Sequence, residues 1–123
     1  MNIPRKDAVS FVLCDTLRKE TARSQKELSG MINMRLRATN SGYSISGSRV
    51  RMIALDTPGI RVSISTKKGP VPSRCPACGH SLRKSYTRNL KGRKVLRKLE
   101  CLRCPYTGSG GKWAPSRYAF SLA

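Results

Sequence analysis

Four of the five cysteines form two Cys-x-x-Cys pairs, Cys75 with Cys78 and Cys101 with Cys104, separated by 22 residues. A two-residue spacing lets both sulfurs of a tight turn face one ion, and two such turns complete a tetrahedral site with no open position. We therefore expect these four thiolates to hold one structural Zn²⁺ per chain. Iron suits the same four ligands, and disulfides or a redox pair are the rival chemistries.

The remaining residues offer little further chemistry. His80 is the only histidine, and we expect it to face solvent because four cysteines already satisfy the ion. Cys14 has no Cys-x-x-Cys partner and is interpreted as a small buried apolar residue. The sequence has no pair of carboxylates, no Ser-His-Asp set and no phosphate-cradling loop. We therefore expect a protein that is not an enzyme and takes no small-molecule substrate.

The charge balance indicates a polyanionic partner. The chain has 25 Lys and Arg against 6 Asp and Glu, a formal net charge of +19. Residues 57–123 carry 15 of the basic residues and a single acid, Glu100. Self-repulsion of this size destabilises a compact chain unless a polyanion neutralises it. We therefore predict nucleic acid as the partner, with DNA favoured over RNA, and leave a homodimer open.

The sequence does not favour a membrane. No stretch approaches the roughly 20 apolar residues that a span requires, and no basic amphipathic helix with an aromatic apolar face appears. The N-terminal residues carry no apolar signal core. We expect a nucleoid-associated protein of the cytoplasm, a compartment in which thiols stay reduced.

The first half predicts three helices and a strand. Residues 6–20 have apolar side chains at helical spacing. Ser24 and Glu27 form a capping box before a second apolar stripe. Ser46 is a good N-cap for a third helix, Ser46–Leu55, and residues 60–65 alternate between apolar and polar as a half-buried strand does.

Three helices, a strand and a basic turn at residues 66–69 are the elements of a winged helix, with another small three-helix module as the alternative. In a winged helix the third helix enters the major groove of DNA and the basic loop lies near phosphates. Arg49 is then the candidate base reader and Arg51 a phosphate contact. The full predicted DNA-binding set is Ser46, Ser48, Arg49, Arg51, Arg61, Lys67 and Lys68.

The second half predicts a zinc ribbon. Residues 81–90 and 93–100 are expected to form two strands joined by a turn at Leu90–Gly92, in which Gly92 is free to adopt positive φ. Residues 112–122 are expected to return as the third strand, with Trp113, Tyr118 and Phe120 covering the ribbon. The predicted phosphate-binding residues on this hairpin are Lys84, Arg88, Arg93, Lys94, Arg97 and Lys98.

The predicted fold class is α+β, with a winged-helix-like module over residues 1–69 and a three-stranded antiparallel zinc ribbon over residues 70–123. This order of elements, with the capped helix at Ser24–Leu28 and the motif Ser73-Arg-Cys-Pro-Ala-Cys-Gly79, resembles a small archaeal family of predicted transcription regulators. In that family a winged helix-turn-helix is fused to a C-terminal zinc ribbon. The resemblance implies a zinc role for the four paired cysteines and a DNA-reading role for the helix around Ser46–Leu55.

The function favoured by these observations is a zinc-stabilised DNA-binding transcription regulator. The alternatives are a structural RNA-binding protein, ribosomal or ribosome-associated, a chromatin-coating protein, and an adaptor for the transcription machinery. One local expectation concerns Pro105, which follows the second cysteine pair where zinc knuckles usually have glycine. Proline cannot adopt positive φ and donates no N–H, so we expect the second knuckle to be built differently from the first.

Overall fold

The computed structural model describes residues 3–123 and confirms an α+β fold with three helices. The chain forms two compact units, one of residues up to 63 together with 117–123, the other of residues 64–116. The first unit therefore includes C-terminal residues that the sequence pattern placed in the second module. The elements in chain order are α1 (Lys6–Lys19), α2 (Gln25–Thr39), α3 (Gly47–Asp56), β1 (Ile60–Lys67), β2 (Leu82–Arg88), β3 (Lys94–Cys101), β4 (Thr107–Ser109) and β5 (Ala114–Leu122).

The helices of the first unit share one apolar core. Buried residues recur at spacings of three and four on each helix, which places them on one face. An ion pair of 2.7 Å between Asp15 and Arg35 joins α1 to α2 outside this core. The buried side chains are Val9, Leu13 and Leu17 on α1, Leu28, Ile32 and Leu36 on α2, and Val50, Ile53 and Ala54 on α3.

Two predicted helix starts are confirmed by their caps. The Ser24 hydroxyl accepts a hydrogen bond from the Glu27 amide at 3.1 Å, and the Ser46 hydroxyl accepts from the Arg49 amide at 3.2 Å. Each cap satisfies one of the amides that the first helical turn leaves without a partner.

Cys14 was predicted to be buried but is half-buried, because it lies beside the apolar stripe of α1 and not on it.

An asparagine fixes the seven-residue connection from α2 to α3. Asn33 of α2 accepts a hydrogen bond from the Ile45 amide at 3.0 Å through Oδ1, and its Nδ2 donates to the Ile45 carbonyl at 3.0 Å. Nδ2 also donates to the Ser29 carbonyl one turn earlier. One side chain thus ties both polar groups of the residue that precedes the Ser46 cap to the α2 surface.

The last strand differs from the prediction that residues 112–122 complete the ribbon. β5 pairs with β1 in a two-stranded sheet, and the Ala123 amide donates to the Gly59 carbonyl at 2.8 Å, so the two strands run antiparallel. Phe120 is 1% exposed, and its backbone exchanges two hydrogen bonds with Ala22 in the first unit. Tyr118 and Phe120 therefore do not cover the ribbon, because the apolar strand β1 takes β5 as its partner.

A three-stranded antiparallel sheet forms the second unit, in the order β2-β3-β4. Its third strand is β4, only three residues long, which pairs with Lys98–Glu100 of β3. The core of the sheet is small: Leu99, Tyr106 and Trp113 are buried, and the Tyr106 hydroxyl donates to the Trp113 carbonyl at 2.7 Å. The prediction of three antiparallel strands is thus confirmed, but the third strand is β4 and not residues 112–122.

Replacing Asn33 with alanine should loosen the start of α3. The change leaves the amide and carbonyl of the buried Ile45 without partners, which we expect to cost about 1–3 kcal/mol in free energy of unfolding. Urea unfolding followed by far-ultraviolet circular dichroism measures this cost. Asn40→Ala is the matched control, because the Asn40 side chain accepts a hydrogen bond from the exposed Gly42 amide and the loss of that bond should cost about 0.5 kcal/mol or less. Equal effects of the two changes would contradict the role of Asn33.

Candidate metal centre

The four paired cysteines lie on two loops of the second unit. Cys75 and Cys78 precede β2, whereas Cys101 ends β3 and Cys104 lies in the turn before β4. The pairing of β2 with β3 places Leu82 opposite Cys101, so the antiparallel ladder brings the two loops to the same end of the hairpin.

The sulfur atoms are close enough to hold one metal ion. All four Sγ atoms lie within 4.8 Å of one another; Cys75 and Cys104 are 3.4 Å apart, and Cys78 and Cys101 are 3.5 Å apart. A tetrahedral ion with Zn–S bonds of about 2.3 Å has S···S edges of about 3.8 Å. The separations of 3.4 and 3.5 Å are close to that edge length, so the cluster fits a four-thiolate site.

The first loop is a knuckle closed by two backbone hydrogen bonds. The Cys75 amide donates to the His80 carbonyl at 2.9 Å, and the Gly79 amide donates to the Cys75 carbonyl at 2.8 Å. Gly79 has φ of +79°, a conformation that residues with a side chain rarely adopt. The His80 side chain is exposed and is not part of the metal cluster, as expected.

The second loop repeats only one of these two bonds. The Cys101 amide donates to the Tyr106 carbonyl at 3.0 Å, with the same five-residue spacing as in the first knuckle. Pro105 occupies the position equivalent to Gly79 and has no N–H to donate. In its place the Arg103 and Cys104 amides approach the Cys101 sulfur at 3.4 and 3.3 Å. The expectation that the second knuckle is built differently is confirmed.

Burial and local hydrogen bonding shift the pKa values of Cys78, Cys101 and Cys104 in different directions. Burial opposes ionisation of Cys101, but the Arg103 and Cys104 amides favour its thiolate, and together these effects lower its pKa to about 7. Burial raises the pKa of Cys78 to about 11 and raises the pKa of Cys104. A bound divalent cation favours the thiolate of every ligand, so metal binding releases protons.

The donor set defines the chemistry of the centre. Four sulfur ligands fill a tetrahedron and leave no position for water or substrate, which is the arrangement of a structural site and not a catalytic one. Cys75 is 3% exposed and its neighbour Ala77 is 1% exposed. The ion that these residues hold would therefore be enclosed by the loops and would organise the fold of the unit.

The predicted DNA-binding residues do not share one environment. Ser46, Ser48 and Arg49 are exposed at the N-terminal end of α3. Arg51 is half-buried: its Nη1 donates to Gln25 at 2.9 Å and its guanidinium lies 5.0 Å from the centre of the Tyr118 ring. It therefore packs α3 against its own unit. Arg61, Lys67 and Lys68 are exposed on β1 and just after it.

The predicted phosphate-binding residues are all exposed on the β2–β3 hairpin. Three of them have partners within the hairpin. Lys98 forms an ion pair of 3.1 Å with Glu100, the Lys94 ammonium lies 4.2 Å from the centre of the Tyr86 ring, and Arg88 Nη1 donates to the Gly92 carbonyl at 3.0 Å. The others are Lys84, Arg93 and Arg97.

Two structurally important residues lacked a signal in the sequence. Asn33 lies beside an apolar stripe, where a polar residue usually faces solvent, and its target is the backbone of the next connection. Tyr106 follows Pro105 in a short loop, and nothing in that pattern distinguishes a buried aromatic residue from an exposed one.

Comparison with models of known families, with curated proteins and with solved structures gives no significant match for this chain. Within residues 3–123, no helix combines the length and apolar character needed to cross a membrane.

Removing one ligand should remove the metal. We expect elemental analysis to find one zinc per chain in the wild-type protein and none in Cys101→Ser, because the site has no spare ligand. Structural zinc supplies roughly 10–16 kcal/mol of apparent binding free energy, so amide protons of β2, β3 and β4 should lose protection from exchange in the variant.

Cys14→Ser is the matched control, since it removes a thiol outside the cluster and should retain one zinc. Wild-type protein that is well folded without metal would contradict the assignment of the centre.

Proposed function

We propose that this chain is a zinc-stabilised DNA-binding protein that regulates transcription and has no enzymatic activity. In this proposal the metal is zinc, and it stabilises a basic hairpin that holds the phosphate backbone. The helix α3 of the first unit reads the base sequence. The observation that carries the proposal is the unbroken positive charge of the hairpin that the cysteine cluster anchors.

That hairpin carries no negative side chain along most of its length. Residues 82–99 include eight Lys and Arg and no Asp or Glu, and all eight cations are exposed. Of these, Arg88, Lys94 and Lys98 have the partners described above. Cations held this close together on a narrow structure repel each other, and a polyphosphate relieves that repulsion while releasing counterions.

The third helix has the two faces that a recognition helix requires. Val50, Ile53 and Ala54 are buried in the core, whereas Ser48 and Arg49 are exposed near the N-terminus. In helix-turn-helix proteins the N-terminal residues of the second helix of the motif contact base edges. This face supports duplex DNA over RNA, because the major groove of A-form RNA is too narrow for side chains to read.

Arg49 is the candidate for base reading. Arginine can donate two hydrogen bonds to O6 and N7 of guanine. Arg51 is two residues away, on a different side of the helix, and its contacts with Gln25 and Tyr118 make it a packing residue in this proposal. The sequence-based assignment of Arg51 to phosphate is therefore replaced here by a role in holding α3 in place.

The rival proposal is a structural RNA-binding protein, ribosomal or ribosome-associated, and the basic hairpin suits it equally well. The two are separated by competition. A regulator should prefer one selected duplex over random duplex by a factor of about 10³ or more. Preference for structured RNA and co-sedimentation with ribosomes would favour the rival.

Arg49→Ala should reduce sequence preference. We expect the variant to lose about 1–3 kcal/mol of binding free energy on a selected duplex and to change little on scrambled DNA, because only base contacts distinguish the two. Fluorescence anisotropy on both duplexes measures the difference. The control is Lys19→Ala, which removes one exposed cation from the end of α1. Equal weakening on both duplexes would show that Arg49 reads no base.

Neutralising the hairpin should weaken binding to every duplex. The triple variant Lys84→Ala, Arg93→Ala and Arg97→Ala removes three exposed cations. If each contacts a phosphate, the slope of log K against log salt should decrease in magnitude by about 1 for each residue. Titrations at several salt concentrations measure the slope.

The matched control for this variant is Arg5→Ala, Arg18→Ala and Lys19→Ala, which removes the same charge from the first unit. An equal decrease in slope in both triple variants would indicate a general charge effect and not a hairpin contact.

A further inference from the structure

The β2–β3 hairpin extends beyond the rest of its sheet. β4 pairs with β3 only over Lys98–Glu100, so residues 85–97 continue as a pair of strands. At about 3.3 Å per residue, the strand from Ser85 to Asn89 reaches roughly 13 Å past β4. This distance exceeds the depth of the DNA minor groove, which is about 7.5 Å.

The tip of this arm is held in one conformation. The Asn89 Oδ1 atom accepts hydrogen bonds from the Lys91 and Arg93 amides, both at 3.0 Å. The Gly92 amide donates to the Asn89 carbonyl at 2.9 Å, and Gly92 has φ of +75°. This is the three-residue hairpin loop in which a glycine with positive φ follows a tight turn. Leu90 is the first residue of the loop.

The Leu90 side chain has no packing role in the arm. Its relative exposure is 108%, the highest among the exposed large apolar residues. Single exposed leucines are common on protein surfaces, but turn positions usually carry Gly, Asn, Asp or Ser. Here the leucine lies at the end of an arm whose loop is closed by hydrogen bonds, and Arg88, Lys91 and Arg93 are its neighbours in sequence.

We propose that Leu90 is a wedge that inserts between neighbouring base pairs of duplex DNA from the minor groove. The inference rests on the proposed DNA binding and adds its mode. An apolar side chain pushed between base pairs unstacks them and bends the duplex away from the minor groove. Arg88, Lys91 and Arg93 would hold the phosphates on either side of the opened step.

Charge determines which partner suits this tip. A protein pocket for leucine is lined by apolar side chains, and the arm would bring five cations and no acid to the edge of such a pocket. A duplex offers phosphates for the cations and an apolar stack for the leucine within the same few ångströms. The cations and the leucine of the tip can then both contact the same duplex.

The experiment uses the full-length, zinc-loaded chain and a 30-base-pair duplex with a donor dye at one end and an acceptor at the other. Fluorescence anisotropy gives affinity, and energy transfer gives bending. The wild type should bend the duplex by about 20–90°. Leu90→Ala should abolish the bend and weaken binding about tenfold, the loss expected when one leucine is no longer buried. Leu90→Phe should retain the bend, since phenylalanine also serves as a wedge.

Lys91→Ala is the matched control at the neighbouring loop position. It should weaken binding and make it less salt-dependent while leaving the bend in saturated complexes unchanged. Zinc content and circular dichroism should match the wild type in all variants, because both side chains are exposed.

The outcomes separate the two proposals. Wild-type binding with a straight duplex, or the same bend in Leu90→Ala, overturns the wedge and leaves DNA binding in place. Absence of duplex binding by the wild type overturns both. Loss of the bend in Leu90→Ala, with its retention in Leu90→Phe and Lys91→Ala, supports the wedge.

Discussion

Four sulfur atoms of the second unit lie within 4.8 Å of one another, close enough to hold one metal ion. Its apolar core is little more than Leu99, Tyr106 and Trp113, which is too small to stabilise a strongly basic sheet by burial. A bound divalent cation with four thiolates would have a net charge of about −2, and it would offset part of the positive charge that surrounds the cluster. Coordination would thereby supply both the cross-link and the counter-charge that this sequence lacks.

Local signals in the sequence were enough to predict the helices and the cluster of four cysteines. Capping serines fixed where α2 and α3 begin, and the spacing of the cysteines identified the cluster, because both depend on neighbours within a few residues. Strand pairing depends on distant residues, and β5 was therefore assigned to the wrong sheet. The alternation in β1 showed that the strand was half-buried but carried no information about which of the later strands would pair with it.

The contacts of individual side chains were the feature that the sequence predicted least well. Arg49 and Arg51 are equivalent by residue type, yet Arg49 is exposed and Arg51 is held by Gln25 and Tyr118. The difference follows from helix geometry and from the position of β5, which sequence patterns did not supply. In the proposed function Arg49 contacts a base, Arg51 holds α3 in place, and the phosphate contacts belong to the hairpin. Phosphate contacts position a protein on DNA and base contacts select the sequence.

The strands β1 and β5 are neighbours in space although the whole ribbon lies between them in sequence. The two ends of the segment 70–113 lie close together. A Cβ atom added to Gly69 would lie only 2.6 Å from the Ala114 Cβ atom. An insertion with adjoining ends can be lengthened or lost at a small cost in chain entropy. The ribbon is thus an insertion between two paired strands: a short turn in place of residues 70–113 would join β1 to β5 as an ordinary β-hairpin.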